Sequence, residues 1–314
     1  MMRCLVTGGC GFVGSALVRR LLAESCEVVV VDDLSRGARE NLGADQDRVR
    51  VLEQDVTSSL DRAFAAFRPQ AVFHLAAQHF IPDCDADPVR CLQVNVDGTR
   101  SVLDAAAALG GPISVVVASS AAVYAPADGP HREQEDLPGP VDVYGYSKLW
   151  AEELAAGFAA RTGNGVAIAR LFNVFGPGET NAHFIPSLIC QLKAGQEIRL
   201  GNLSTRRDYV FVDDVADALL RLARHGADGR SATVNVGTGR AYAGHEVVEA
   251  LAAMAATGVA PVVDRSRLRP VDRPVLLADP TLAQKLVDWT PRTSLAEGLR
   301  AAWDRPVGAG VTAA

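Results

Sequence analysis

The chain has 314 residues, 48% hydrophobic and 22% charged, the composition of an ordinary globular protein with room for a large core and two lobes around one cleft. The 31 basic residues against 37 acidic ones leave a formal charge of −6 without any long basic run, so neither a nucleic-acid backbone nor an anionic membrane is an expected partner. The expected ligand is small.

The first residues, MMRCLVTGG, run straight into a strand pattern without the charged and apolar segments of a signal peptide. The longest nearly apolar stretch, from Leu251, is broken by Gly258 and Pro261 and falls short of a membrane span, so a cytoplasmic location is expected. Cys4, Cys10, Cys26, Cys84, Cys91 and Cys190 show no metal or redox spacing, and no metal site is expected.

In chain order, short β-branched runs alternate with longer helical patterns: RCLVT, a helix over 12–25, EVVVVDD, VRVLEQD, AVFHLAA, a helix over 88–109 and ISVVVASS. Strands separated by helices of this length imply right-handed crossovers and a parallel sheet covered on both faces, a doubly wound α/β domain. Residues 125–142, rich in Pro and acid, read as a loop over the C-terminal edge of that sheet. A helix over 144–161 and the strand VAIARL follow, after which the pattern loosens around Pro177, Gly178 and Pro186. The expected division is a dinucleotide domain over 1–176, to which 208–240 returns, and a smaller lobe over 177–314 ending in a disordered tail.

TGGCGFVG places Gly8, Gly11 and Gly14 between the first strand and the first helix. Such glycines allow a tight turn and close approach of a pyrophosphate to the helix N-terminus, although alone they also suit a plain turn. Asp32 and Asp33, about 20 residues on, supply the carboxylate that accepts hydrogen bonds from an adenosine ribose and repels a 2′-phosphate, favouring NAD over NADP. Asp55 and Val56, after the third strand, are placed to bracket an adenine.

YGYSK sets Tyr144 and Lys148 four residues apart, on one helix face, while Tyr146 points elsewhere. A tyrosine with a pKa of ~10 is a poor base at neutral pH, but an ammonium and an oxidised nicotinamide beside it favour the phenolate. Tyr144 is then competent to take a proton from a sugar hydroxyl.

GGCGFVG, Asp55-Val56, HLAA, Asn95, SSAAVY, YGYSK and RLFNVFGPG together resemble the extended short-chain dehydrogenase/reductase family, in its sugar-nucleotide epimerase/dehydratase branch. The resemblance runs from Thr7 to about Asp279 and implies a Rossmann-type sheet with a smaller C-terminal substrate lobe. It implies bound NAD, with Ser120, Tyr144 and Lys148 as the catalytic group and Ser119 structural. The cofactor set it implies is Gly8, Gly11, Phe12, Val13, Asp32, Asp33, Ser35, Asp55, Val56, Leu75, Ala76, Ala77, Asn95, Tyr144 and Lys148. For the substrate it implies Asn173 and Arg207 at a diphosphate, His183, Phe184 and Ile185 at the nucleotide base, His79 near the sugar, and Arg269 as a second phosphate clamp. Arg265, Arg267 and Arg273 compete with Arg269 for that last place, and Val271 stands where the family has Gly. A homodimer built on the helices over 88–109 and 144–161 is a further implication.

Members of this branch begin alike, by oxidising a sugar carbinol. A dehydratase must then remove a proton beside the new ketone and expel a hydroxyl, which in those relatives falls to acidic residues between the serine and the Val-Tyr pair. Here Ala121 and Ala122 hold those places and can move no proton. The expected activity is epimerisation of a nucleotide sugar, preferentially at C4. An atypical 4,6-dehydratase and a non-catalytic NAD-sensing regulator are the alternatives, and LGNLSTRRD leaves GDP-sugars open beside UDP-sugars.

Overall fold

The computed structural model describes residues 1–255, 261–264 and 273–305. The Val-rich runs become β1 (Arg3–Thr7), β2 (Glu27–Asp32), β3 (Arg50–Glu53), β4 (Ala71–His74), β5 (Ser114–Ser120) and β6 (Val166–Leu171). After them come β7 (Asn173–Phe175), β8 (Arg199–Leu200), β9 (Arg206–Phe211), β10 (Ala232–Val236), β11 (Ala241–Ala243), β12 (Val262–Val263) and β13 (Val275–Leu276).

The main sheet has seven parallel strands in the order β10-β6-β5-β4-β1-β2-β3. Alternation along each strand sorts its apolar side chains between two cores. Leu5, Val31, Val72, Val115 and Val117 face Val102 and Phe158, whereas Val6, Val30, Val116, Leu17 and Leu219 pack on the opposite side. Both faces are covered, so the strands carry almost no polar alternation. The strand order reverses between β1 and β4, and at this switch point the chain leaves both strands in opposite directions, opening a crevice at their C-terminal ends.

Two helical layers follow. On one face α1 (Phe12–Ala23) packs against a helix over Val212–Gly226. On the other lie α2 (Asp61–Phe67), α3 (Ile81–Ala86), α4 (Pro88–Leu92), α5 (Gly98–Ala108) and α6 (Val143–Thr162). The expected single helix over 88–109 is in fact α4 and α5 joined by one wide π-type turn, Gln93–Asp97. The widened turn brings Asn95 inward, where its amide reaches Gln78 and Ser147 instead of water.

The chain passes to a second sheet at Phe172, earlier than Pro177: β7 already pairs with β9, which is flanked by β11 and β13. Of residues 208–240, Asp208–Phe211 therefore stays in the second sheet, and the helix over Val212–Gly226 with β10 rejoins the first. The loop over 125–142 is stitched to the segment after β13: His131 N–H donates to Leu277 O at 2.8 Å, and Asp279 N–H to His131 O at 2.9 Å. The tail after residue 305, with Arg265, Arg267 and Arg269, lies outside the described residues. Among those described, no helix is long and apolar enough to cross a membrane.

His74 closes β4 between the Thr7 hydroxyl at 2.8 Å and the Thr99 hydroxyl at 2.9 Å. Burial lowers its pKa to about 3, with Lys148 adding to the effect. The folded value lies below the ordinary ~6.5, so this contribution to stability is complete above that pH and is lost as pH falls toward about 3. In His74→Asn the neutral-pH melting temperature should fall, while its further drop on acidification should be shallower than in the parent; thermal melts across that pH window check this.

Candidate active site

The crevice is a cavity of about 1160 Å³ lined from both lobes. Its floor on the first lobe is the glycine loop. Gly8 has φ +70, and a Cβ there would lie 2.7 Å from the Ala76 nitrogen; one on Gly14 would lie 2.0 Å from the Gly8 oxygen. The loop is therefore flat against Leu75-Ala76 and against its own helix, as a dinucleotide cradle requires. Gly11 begins α1 without a capping side chain, which leaves the first amides of the helix for an anion.

Asp32 accepts the Cys10 and Leu34 amides, each at 2.9 Å, so it braces the loop while lining the cavity. Burial raises its pKa, and those two amides oppose the rise. Asp33 holds Ser35 through its amide at 3.0 Å and its hydroxyl at 2.6 Å. Asp55 accepts the Thr57 amide at 2.8 Å and Arg90 at 2.7 Å. Phe12, Val13, Val56 and Ala77 complete this end of the wall. The residues thus fit an NAD.

Asn95 is the exception among the expected cofactor residues. It is 1% exposed and does not line the cavity; its amide donates to Gln78 O at 2.9 Å and Ser147 Oγ at 2.8 Å, and its oxygen accepts the Gln78 amide at 2.8 Å. With every polar atom engaged by protein, Asn95 shapes the wall from behind.

At the chemical end, Asp142 caps α6 by accepting the Gly145 amide at 2.7 Å. Tyr144 and Lys148 follow on the buried face, whereas Tyr146 is 46% exposed. The Lys148 ammonium donates to Ala118 O at 2.9 Å and lies 6.0 Å from the centre of the Tyr144 ring. Ser120 accepts the Ala122 amide at 3.1 Å, and its hydroxyl is near enough to Tyr144 to favour the phenolate. Ser119, on the opposite strand face, bonds Glu152, which pairs in turn with Arg170 at 3.0 and 2.7 Å.

Burial raises the Tyr144 pKa above the ordinary tyrosine value, with Ser120 opposing the rise, and burial lowers Lys148 to about 8. In the protein alone Tyr144 therefore keeps its proton at neutral pH, and the phenolate expected from the sequence calls for the oxidised nicotinamide as well as Lys148.

The substrate side is built by the second lobe. Asn173 lines the cavity with its Oδ1 buried and without a hydrogen-bond partner. Arg207 donates to Arg273 O at 2.8 Å. His79 meets the Asn181 amide at 3.0 Å, and the His183 ring lies 5.8 Å from the His79 ring and 3.5 Å from Glu179. Phe184 and Ile185 line the same end. Glu179, Asn181, Arg90 and Arg273 carry no motif signal and went unassigned at the sequence level, apart from Arg273 as one of four competing arginines.

Residues 4–237 match the model of the NAD dependent epimerase/dehydratase family. The chain is 34% identical to a UDP-glucose 4-epimerase of Mycolicibacterium smegmatis over 306 residues, 95% of this chain and 96% of that one. Among solved structures it resembles the Thermus thermophilus UDP-glucose 4-epimerase in complex with NAD, with a TM-score of 0.86, 32% identity and coverage of 96% and 98%. It also resembles MoeE5, solved with NAD and either UDP-glucose, at 36% identity, TM-score 0.85 and coverage of 96% and 97%, or UDP-glucuronic acid, at 35%, 0.86, and 96% and 98%. The cradle at Gly8, the Tyr144–Lys148 pair and these similarities along almost the whole chain place it in the NAD-dependent epimerase/dehydratase family.

Proposed function

We propose that the protein is a UDP-sugar epimerase that inverts the C4 hydroxyl and recycles its NAD. The carrying observation is the convergence of Ser120, Tyr144 and Lys148 at the end of β5, followed by two alanines where an eliminating enzyme needs proton-transferring groups. The UDP-glucose 4-epimerases among the relatives support this reading and the choice of uridine.

In this reading Gly8, Gly11, Phe12, Val13, Asp32, Asp33, Ser35, Asp55, Val56 and Leu75–Ala77 hold the dinucleotide, with Asn95 as a positioning residue. NAD when bound supplies the acceptor, and then the donor, of one hydride. Ser120 orients the C4 hydroxyl, and Tyr144 takes its proton and later returns it to the opposite-handed product. Lys148 offsets the phenolate's charge while its bond to Ala118 keeps the helix in place. Asn173 and Arg207 engage the diphosphate, His183, Phe184 and Ile185 the base, and His79 the sugar. Ala121 and Ala122 leave the keto sugar no partner for loss of a neighbouring proton or of water, so the sugar turns over and is reduced. The loop over 200–208 supports GDP as a second reading for the base.

Val89, Tyr146 and Trp150 are 65%, 46% and 47% exposed on α4 and α6, which pack side by side. So much apolar surface on adjacent helices supports a homodimer formed through this face.

Tyr144→Phe should lower kcat by at least about 100-fold while substrate binding stays measurable; a clean variant with near-parental turnover would sink the mechanism. Incubated in deuterated water with UDP-, GDP-, dTDP- and CDP-sugars, the enzyme should epimerise a UDP-sugar without placing deuterium on carbon, as NMR will show. Deuterium at C5, or loss of water, would instead indicate dehydration or epimerisation through a carbanion. Light scattering should give a dimer for the parent and a monomer for Trp150→Glu.

A further inference from the structure

Two arginines are deeply buried among the described residues, and they are treated differently. Arg170, 6% exposed, is clasped by the Glu152 carboxylate and stacked over the Tyr124 ring at 4.6 Å. Arg273, 8% exposed, has no such partner among the described residues. Its guanidinium donates to two neutral carbonyls, Ala121 O at 3.2 Å and Ala122 O at 2.8 Å. Asp142, whose charge favours it from further away, is occupied in capping α6. Arg207 nearby adds repulsion.

A buried cation without a counter-ion is costly unless a charge of opposite sign arrives. Arg273 lines the cavity, and its two donors to carbonyls leave other N–H groups of its planar fork for a ligand. Glu179, an acid that also lines the cavity, is already engaged by the Thr180 and Asn181 amides at 3.0 and 3.2 Å and by His183.

Ala121 and Ala122 immediately follow Ser120, so the guanidinium is held at the end of the site assigned to the C4 hydroxyl. The substituents on C3 and C5 both lie two bonds from C4, and of the two it is the C5 substituent, C6, that can be carried at the oxidation level of a carboxylate. Arg207, the residue placed at the diphosphate, bonds instead to the Arg273 backbone. On the nucleotide-sugar reading above, we infer that Arg273 reads a carboxylate carried on C5, and that the substrate is a nucleotide-linked uronic acid. A neutral hydroxymethyl group would leave the guanidinium uncompensated, whereas a carboxylate gives charge-assisted, planar hydrogen bonding.

The test is calorimetric binding of UDP, UDP-glucose and UDP-glucuronate to the NAD-loaded enzyme. The parent should bind UDP-glucuronate about tenfold or more tightly than UDP-glucose, the size of effect expected for one charged hydrogen-bonding pair. Arg273→Met should erase that preference while UDP itself binds within about twofold of the parent, and Arg273→Lys should keep part of it. Equal affinity of the parent for the two sugars overturns the inference, and needs no variant. A loss of UDP affinity in Arg273→Met as large as that of UDP-glucuronate also overturns it, assigning the residue to the diphosphate. Turnover separates this inference from the function it rests on. Preferred binding of the uronate without epimerised product sinks the epimerase and leaves Arg273's role standing, whereas epimerisation of UDP-glucose with no uronate preference does the reverse.

Discussion

One buried hydrogen bond, from the Lys148 ammonium to the Ala118 carbonyl, ties the first turns of α6 to the end of β5. The rest of the chemical site is built on that seam. Ser119 points from β5 into α6, where it bonds Glu152, and Ser120, next along, is left at the strand end to accept the Ala122 amide and line the cavity. Helix residues four apart share a face, so Tyr144 is brought to Ser120 by the same contact. An ammonium this deep cannot forgo an acceptor without large cost, which makes the alignment of strand and helix an electrostatic necessity as well as a matter of packing.

The cavity is a place where burial and charge are balanced unevenly on purpose. The first lobe offers backbone amides and carboxylates, suited to pyrophosphate and ribose. The second lobe offers Arg207 and the unpaired acceptor of Asn173. Between them lie a tyrosine held protonated by burial and a lysine brought to about 8, groups whose charge states are poised to respond to whatever binds. The protein contributes the desolvation, and the bound ligands contribute the charge.

The parts of this arrangement legible in the sequence are those governed by local chemistry. Val-rich runs must be strands buried on both faces, Gly8 and Gly14 must occupy positions that exclude a Cβ, and Tyr144 and Lys148 must share a helix face. What was not legible depends on partners far along the chain. The π-type turn exists because Asn95 reaches Gln78 and Ser147, and no periodicity announces that. That Arg273 enters the cavity is not legible because an arginine's role is set by what surrounds it; Ala121 and Ala122, read as an absence of catalytic groups, are also hydrogen-bond acceptors through their backbone. The upward shift that burial gives Tyr144 likewise depends on how deep the ring lies.

The contact between Arg273 and the Ala121-Ala122 turn joins residues 151 positions apart, and the loop over 125–142 is stitched to that same late segment. Contacts of such long sequence separation form only after the intervening chain is in place. As the protein emerges from a ribosome, β1 to β6 and their crossovers can assemble long before β13 exists, and a domain that folds as it is made will hold its dinucleotide cradle first. The substrate end is finished last, by the final tenth or so of the described chain. The order in which the chain is made thus sets the cofactor end of the cavity ahead of the end where the sugar would react.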